Sequence, residues 1–469
     1  MKIVMFSMTP LFPDTAMGGA QVQLKKVALH LGALGHQVTI LCTRKNADHP
    51  PFTWHENVRV EPILRFKQPY PEPYFTPIYN IANAIQEVAD YLDDADVHYS
   101  HDGGLIFPYV YQDVPTVISL RSILFAETLQ SAFLFNAGSL IVPSDFVKRS
   151  LVATVGRFFP DLQKRTQVIN NGFRWDIFQP TDPTALKEAI PELDPDRYRY
   201  LLFPHRPEAG KGFADCIALV DRLVHEHGID DIRVLVPQWL PDAQSPDDQA
   251  FYRQIRAQIT AKRLDDYFVF HGWIPESLLP AYYSVATLAL VIGSYVETFG
   301  NVAFEALGCG TPVIISRVGP SRTLIDDAYI NKIDYGDTRA ATQHALRILR
   351  GEDTFSVEAT RAYLQEKYHI TTMVEAFADK ILNATVAQPM PYQRTPLKEA
   401  TDFAPTPWCF VAGQGVYHDF RAEYTDDPVL MLLFKNYQAG ISRIDLKALG
   451  ISDEVLMAYL RDGYLYPLS

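Results

Sequence analysis

The sequence predicts an α/β protein: two doubly wound, Rossmann-like domains facing a cleft, then a small, mainly helical, winged-helix-like piece. Three observations carry this. Short runs rich in Val, Ile and Leu alternate with amphipathic helical patterns in two separate series, the rhythm of parallel sheets covered by helices on both faces. A turn-rich stretch, Gln179–Arg197, separates the two series. A stretch rich in Pro, Thr and Gln, Ala387–Pro407, precedes a tail whose helical patterns break at Gly440 and Gly450. The expected organisation is a first domain over 1–180, a second over 181–386, a linker over 387–407 and an accessory module over 408–469.

In chain order, Lys2–Met8 reads as a buried strand, Gly19–Leu34 as a helix stopped by Gly35, and Gln37–Thr43 as the next strand. Strands follow at Val58–Leu64, Val97–Ser100, Thr116–Leu120, Ser139–Val142 and Thr166–Ile169, with the helix Ile78–Leu92 among them. The second series comprises Tyr198–Phe203, Ile232–Pro237, Tyr267–Phe270, Thr287–Ile292, Pro312–Ser316 and Tyr329–Ile333. In the tail, Val429–Phe434, Ile444–Leu449 and Glu454–Leu460 carry short amphipathic helical patterns, and Gly463–Tyr466 a closing strand.

Composition narrows the function. A chain of 469 residues exceeds one ordinary core. Lys and Arg number 42 against 55 Asp and Glu, a formal net charge of −13, which disfavours nucleic acid as a partner. No apolar run reaches the roughly 18 residues that span a bilayer, so no transmembrane segment is expected, and the opening MKIVMFSMTP reads as one short strand rather than a signal peptide. Cys42, Cys216, Cys309 and Cys409 are scattered without metal-ligand spacing, as for reduced buried thiols in a cytoplasmic protein. Asp94-Ala-Asp96 and Asp194-Pro-Asp196 match the letters of a metal-binding D-x-D, but fall at a helix end and in a turn, where Asp serves as a cap. No metal and no cofactor is expected.

The most specific chemistry lies in Glu297-Thr-Phe-Gly-Asn-Val-Ala-Phe-Glu305. The buried strand before it places Glu297 in a loop at that strand's C-terminal end. Phe299, Gly300 and Asn301 open the next helix, whose free N–H groups attract phosphate, and Glu305 lies one to two turns inside. A diphosphate at this helix mouth has one acceptor carboxylate on each side. Nucleotide sugars have that shape, with polyols at both ends and two phosphates between.

The segment ETFGNVAFEALGCGTPVI resembles the signature of the GT-B glycosyltransferases of family 4, and the resemblance extends over roughly residues 1–385. It implies a retaining transfer of a hexose from a nucleotide sugar, such as a UDP- or GDP-sugar, to an acceptor hydroxyl on a small molecule, glycan, lipid or peptide. Glu305 then binds the nucleotide ribose and Glu297 the hydroxyls of the sugar. Arg206 and Lys211, in Phe203-Pro-His-Arg-Pro-Glu-Ala-Gly-Lys-Gly212, are assigned to the diphosphate, whose growing negative charge a guanidinium and an ammonium stabilise without a metal. His271 and Gly272 resemble the loop that brackets the base. In the first domain, Gly18 and Gly19 are similar to the family's glycine loop, where backbone amides approach the ligand. His101 stands where the family commonly turns an imidazole toward the transferred sugar. The helix near 371–382 packs back on the first domain in this family.

Two features fall outside the signature. Phe66–Phe75 is aromatic and Pro-rich, suited either to stacking on a sugar or aromatic ligand or to packing on the domain surface. Residues 391–469 hold seven Lys or Arg against ten Asp or Glu, so the tail suits a protein partner or a homodimer better than DNA. Two rival functions share these residues: a nucleotide-sugar epimerase of the same fold, and a non-catalytic scaffold that binds the nucleotide sugar.

Overall fold

The computed structural model describes residues 1–14, 18–65, 76–103, 108–125, 128–129, 132, 135–205, 208, 210–238, 246–353 and 355–468. Two compact units emerge. One comprises Met1–Gly172, Ile370–Val411 and Asp426–Ser469, and the other Phe173–His369 and Ala412–Thr425.

The first unit is built on eight strands: β1 (Lys2–Ser7), β2 (Gln37–Thr43), β3 (Phe52–His55), β4 (Val58–Leu64), β5 (Val97–His101), β6 (Thr116–Ser119), β7 (Ser139–Val142) and β8 (Thr166–Val168). They lie in the order β3-β4-β2-β1-β5-β6-β7-β8. All pairs are parallel except β3 with β4. Strand β3 was not expected from the sequence; its alternation spans only four residues at the sheet edge, too few to stand out. The strand order reverses between β1 and β5, which opens a crevice at their C-terminal ends. The helix Ile370–Leu382 adds Met373, Val374, Phe377 and Ile381 to the core formed by Ile3, Met5, Leu24 and Val27.

The second unit carries β9 (Arg199–Leu202), β10 (Ile232–Pro237), β11 (Phe268–His271), β12 (Ala286–Val291), β13 (Val313–Ser316) and β14 (Asn331–Ile333). The sheet is wholly parallel, in the order β11-β10-β9-β12-β13-β14. Its switch point falls between β9 and β12. In β12, Ala289 enters one core cluster while Leu288 and Leu290 enter the other, so this strand is covered from both faces and reads as apolar rather than alternating.

The tail differs from the expected single module. Residues 388–393 dock on the first unit instead of hanging free: Arg165 donates to the Gln388 carbonyl at 2.8 Å, Gln393 N–H donates to the Phe158 carbonyl at 2.9 Å, and the Tyr392 ring stacks on Phe158. Strand β15 (Asp402–Pro405) follows, and β16 (Cys409–Ala412) ends where the chain passes into the second unit. The hairpin of β17 (Gly415–His418) and β18 (Glu423–Thr425) belongs to that second unit. The chain then returns through the helices Pro428–Asn436, Arg443–Ala448 and Asp453–Arg461 and the strands β19 (Ile441–Ser442) and β20 (Leu465–Leu468), both antiparallel to β15. Asp427, Ser442 and Ser452 cap the three helices through their side chains, and Phe403, Leu433, Leu446 and Leu456 form the core beneath.

Candidate functional site

In the second unit the loops after β9 and β12 meet at the switch point. Gly212 has φ +89°, and a Cβ there would lie 2.7 Å from the Gly293 nitrogen; a Cβ on Gly293 would lie 2.1 Å from the Gly210 carbonyl oxygen. Only glycines allow two backbones this close. Tyr295 N–H donates to that Gly210 carbonyl at 2.9 Å. The approach brings Lys211 Nζ to 2.6 Å from Glu297 Oε1 and 3.6 Å from the centre of the Tyr295 ring. The lysine side chain is 13% exposed and the glutamate 37%, so a largely buried ammonium meets a carboxylate that solvent still reaches.

Gly300, with φ +88°, turns the chain into the helix Asn301–Gly308. Its first-turn N–H groups lie beside Glu297, whose Cβ is 3.9 Å from where a Gly300 side chain would start. Phe299 does not offer its ring to a ligand: it is buried and stacked on Phe304 at 4.6 Å, leaving only its backbone for the helix mouth. Further along, Glu305 Oε2 accepts from the Tyr283 hydroxyl at 2.8 Å. Burial first, then the neighbouring Glu305 charge, raises the Tyr283 phenol far above its ordinary value and keeps it a proton donor. At the helix end Arg361 donates to the Gly308 carbonyl and, at 2.8 Å, to that of Phe178, a cation on the negative end of the dipole.

His271, ending β11, is a neutral buried ring. Its Nδ1 donates to the Gly272 carbonyl at 2.8 Å while Nε2 accepts from the Tyr282 hydroxyl at 3.0 Å, and burial lowers its pKa. Gly272 is exposed beside it. Arg206 and the segment 66–75 lie outside the described residues.

In the first unit the glycine loop and His101 come together at the start of the helix Gly19–Ala33. His101 is 2% exposed. Its Nδ1 accepts from the Tyr99 hydroxyl at 2.7 Å, and its Nε2 donates to the Ala20 carbonyl at 2.8 Å. Burial, then the Arg121 charge, hold its pKa down to about 3. The ring braces the start of the helix Gly19–Ala33 through Ala20, and β5 is central and aligns His101 with Ser7 and Ser119. Gly18 precedes that helix in extended backbone and accepts the Val22 N–H at 3.2 Å. Asp102 adopts a left-handed φ of 54° and accepts the Arg121 N–H at 3.0 Å, while the Arg121 guanidinium donates to Ser119 and Asn171. Asp96 accepts the Lys2 N–H at 2.7 Å, as a strand-start cap.

Sequence profiles agree with this architecture. The family described as Glycosyltransferase Family 4 matches residues 17–177, and that described as Glycosyl transferases group 1 matches residues 187–355, together more than half of the chain. The chain belongs to the GT-B glycosyltransferases of group 1/family 4. Among curated relatives, the D-inositol 3-phosphate glycosyltransferase of Geodermatophilus obscurus is 31% identical over 42% of this chain and 43% of its own length. The chain spans about two-fifths of the length of the first such relatives. Two solved structures share the fold: sucrose-phosphate synthase from Thermosynechococcus elongatus (TM-score 0.64, 19% identity, covering 81% of this chain and 97% of that one) and Anabaena HepE in complex with UDP and glucose (TM-score 0.62, 18% identity, 81% and 99%).

Several parts of the candidate site lie outside the residues expected from the sequence. Gly293 follows a buried strand directly, a legible signal for a close backbone approach that was passed over. Tyr283 lies 22 residues before Glu305, and no local pattern links them. His205, neutral with a pKa held near 3 by burial, ties the loop after β9 to the Leu290 carbonyl of β12 at 3.1 Å. No helix among the described residues is long and apolar enough to cross a membrane.

Proposed function

We propose that this protein is a retaining hexosyltransferase that moves a sugar from a nucleotide diphosphate sugar to an acceptor hydroxyl. The observation that carries the reading is the Lys211–Glu297 pair at the switch point of the second sheet, beside the first turn of the helix Asn301–Gly308. The diphosphate seats on the helix amides, with Lys211 as its fixed positive charge. Glu297 then accepts from sugar hydroxyls, and Glu305, oriented by Tyr283, accepts from the ribose. Arg206 is proposed as the second diphosphate cation and the His271–Gly272 turn as the edge of the base site. As the leaving group departs its charge grows, and Lys211 with the amides stabilises it without requiring a metal ion. Gly18 and Gly19 meet the acceptor side, and His101 acts through them as a positioning residue. Retention follows the family resemblance, and HepE in complex with UDP and glucose supports a UDP-sugar as the first donor to try. The four cysteines are buried and form no disulfide among the described residues, which supports a cytoplasmic setting.

A thermal-shift screen of UDP-, GDP-, ADP- and dTDP-sugars tests the reading, because selective binding raises the melting temperature by mass action. One nucleotide class should stand out; stabilisation by none of them would defeat it.

A further inference from the structure

The hairpin of β17 and β18 has no part in the site described so far, yet it holds a two-pronged ion pair with a fully buried carboxylate. Asp419, at the start of the hairpin turn, has a side chain 0% exposed. It receives Arg322 Nη1 on Oδ1 at 2.8 Å and Nη2 on Oδ2 at 2.9 Å, a two-pronged pair, and Oδ1 also accepts the Gly319 N–H at 3.1 Å. Gly319 and Arg322 bound the short turn that follows β13. Gly319 has a left-handed φ of 54°, and Asp419 captures the N–H that this conformation presents.

Four further hydrogen bonds set this turn and hairpin at one edge of the sheet. The Tyr424 hydroxyl donates to the Tyr335 carbonyl at 2.7 Å, and Gly413 N–H donates to Asp334 Oδ2 at 3.1 Å, both just past the end of β14. From beneath, Lys332 Nζ donates to the Arg322 carbonyl at 2.9 Å and the Ile325 carbonyl at 2.6 Å. The hairpin therefore sits at the C-terminal edge of the sheet that carries Lys211 and Glu297 after β9 and β12. Ser321, Leu324 and Ile325 of the turn line one small cavity with Phe299, Gly300 and Ala303. Asp419 thus holds a turn that shares this cavity with the mouth of the helix Asn301–Gly308, and Ile325 lies in one core cluster with Phe299 and Ala303.

We propose that Asp419 is a positioning residue of the nucleotide-sugar site: from the C-terminal hairpin it fixes the Gly319–Arg322 turn against the start of the helix Asn301–Gly308 and so sets the affinity for the donor. This rests on the proposed function for the identity of that site. The hairpin segment Ala412–Thr425 is then part of the nucleotide-sugar unit and no mere appendage. A carboxylate is required because one group must satisfy both a buried guanidinium and a backbone N–H; an amide satisfies the N–H and leaves the cation without its charge.

The test uses the full chain as wild type, Asp419→Asn, Arg322→Gln and the double variant, with UDP-glucose and GDP-mannose as probes in calorimetry and backbone hydrogen exchange measured without ligand. Asp419→Asn should speed exchange over residues 317–325 and 300–304, leave 232–237 and 268–271 unchanged, and weaken whichever probe binds by about tenfold. The double variant should lose less than the two single losses combined, since removing both charges leaves no buried ion alone. Faster exchange confined to 413–425, or a Kd within twofold of wild type in both single variants, would overturn the inference while leaving the donor site standing. If the wild type binds neither probe, nor an ADP- or dTDP-sugar added to the series, and gains no protection at 300–304 from any of them, the donor reading itself falls and this inference with it.

Discussion

Lys211 Nζ and Glu297 Oε1 lie 2.6 Å apart across 86 residues of chain, because Gly210, Gly212 and Gly293 let the loops after β9 and β12 touch backbone to backbone. An ammonium held between a carboxylate and the Tyr295 ring is fixed in place before any ligand arrives. Such pre-organisation costs nothing further at the moment of reaction.

Lys211→Ala should therefore act mainly on turnover, lowering kcat by about 10²-fold while the donor KM changes less, because diphosphate charge grows toward the transition state. Steady-state kinetics, or slow donor hydrolysis where no acceptor is supplied, reads this out. A kcat within a few-fold of wild type would remove Lys211 from the leaving-group role.

Glu305→Ala should weaken binding of the nucleoside diphosphate by about 1.5 to 3 kcal/mol, the range for hydrogen bonds to a charged group. Tyr283→Phe should have a smaller effect in the same direction, about 1 kcal/mol, since it only releases the carboxylate that its hydroxyl orients. Calorimetry on both variants checks the order; an effect of Tyr283→Phe larger than that of Glu305→Ala would contradict it.

Gly293→Ala should cost about 1 to 3 kcal/mol or more in stability, because its Cβ must clear backbone atoms that now stand as little as 2.1 Å away. Donor binding should fall with it. A denaturant midpoint equal to wild type would show that the loops can separate freely.

Stability should fall in acid through the buried neutral histidines. His98, His101 and His205 have folded pKa values lowered from 6.5 to about 3, in each case chiefly by burial. Between those values the unfolded chain binds protons that the folded chain excludes. Their contribution is complete above pH 6.5 and is lost as pH falls toward 3, by up to about 1.4 kcal/mol per pH unit for each ring. Neither ring nitrogen of His98 has a hydrogen-bond partner among the described residues, so His98→Phe should reduce the acid slope and hold or raise the neutral-pH melting temperature. An unchanged slope would show that another group dominates.

Turnover should persist in excess chelator if Lys211 and the helix amides supply the positive charge at the diphosphate, as proposed. Loss of activity restored by manganese would reverse that expectation.

Much of this architecture was legible in the sequence, and what was hidden has a physical pattern. Parallel strands that are mostly buried announce themselves as short runs dominated by Val, Ile and Leu, so Gln37–Thr43, Val58–Leu64, Ser139–Val142 and Ile232–Pro237 fall at their observed bounds. Glu297, Gly300 and Glu305 were legible because one loop and one helix hold them at fixed spacing. Long-range partners leave no such trace. Tyr283 reaches Glu305, and Asp419 reaches Arg322 across 97 residues, through tertiary packing alone. His101 shows the converse: its place after a strand is visible in the sequence, but its burial depends on neighbouring strands that no local pattern displays.

The central claim, that a nucleotide diphosphate sits at the mouth of the helix Asn301–Gly308 beside Lys211, is tested most directly by calorimetric titration. UDP and GDP should be titrated into wild type, Glu305→Ala and Lys211→Ala. One nucleotide should bind the wild type, and binding should weaken about tenfold or more in Glu305→Ala. Equal affinity in all three proteins would place the nucleotide elsewhere and contradict the account.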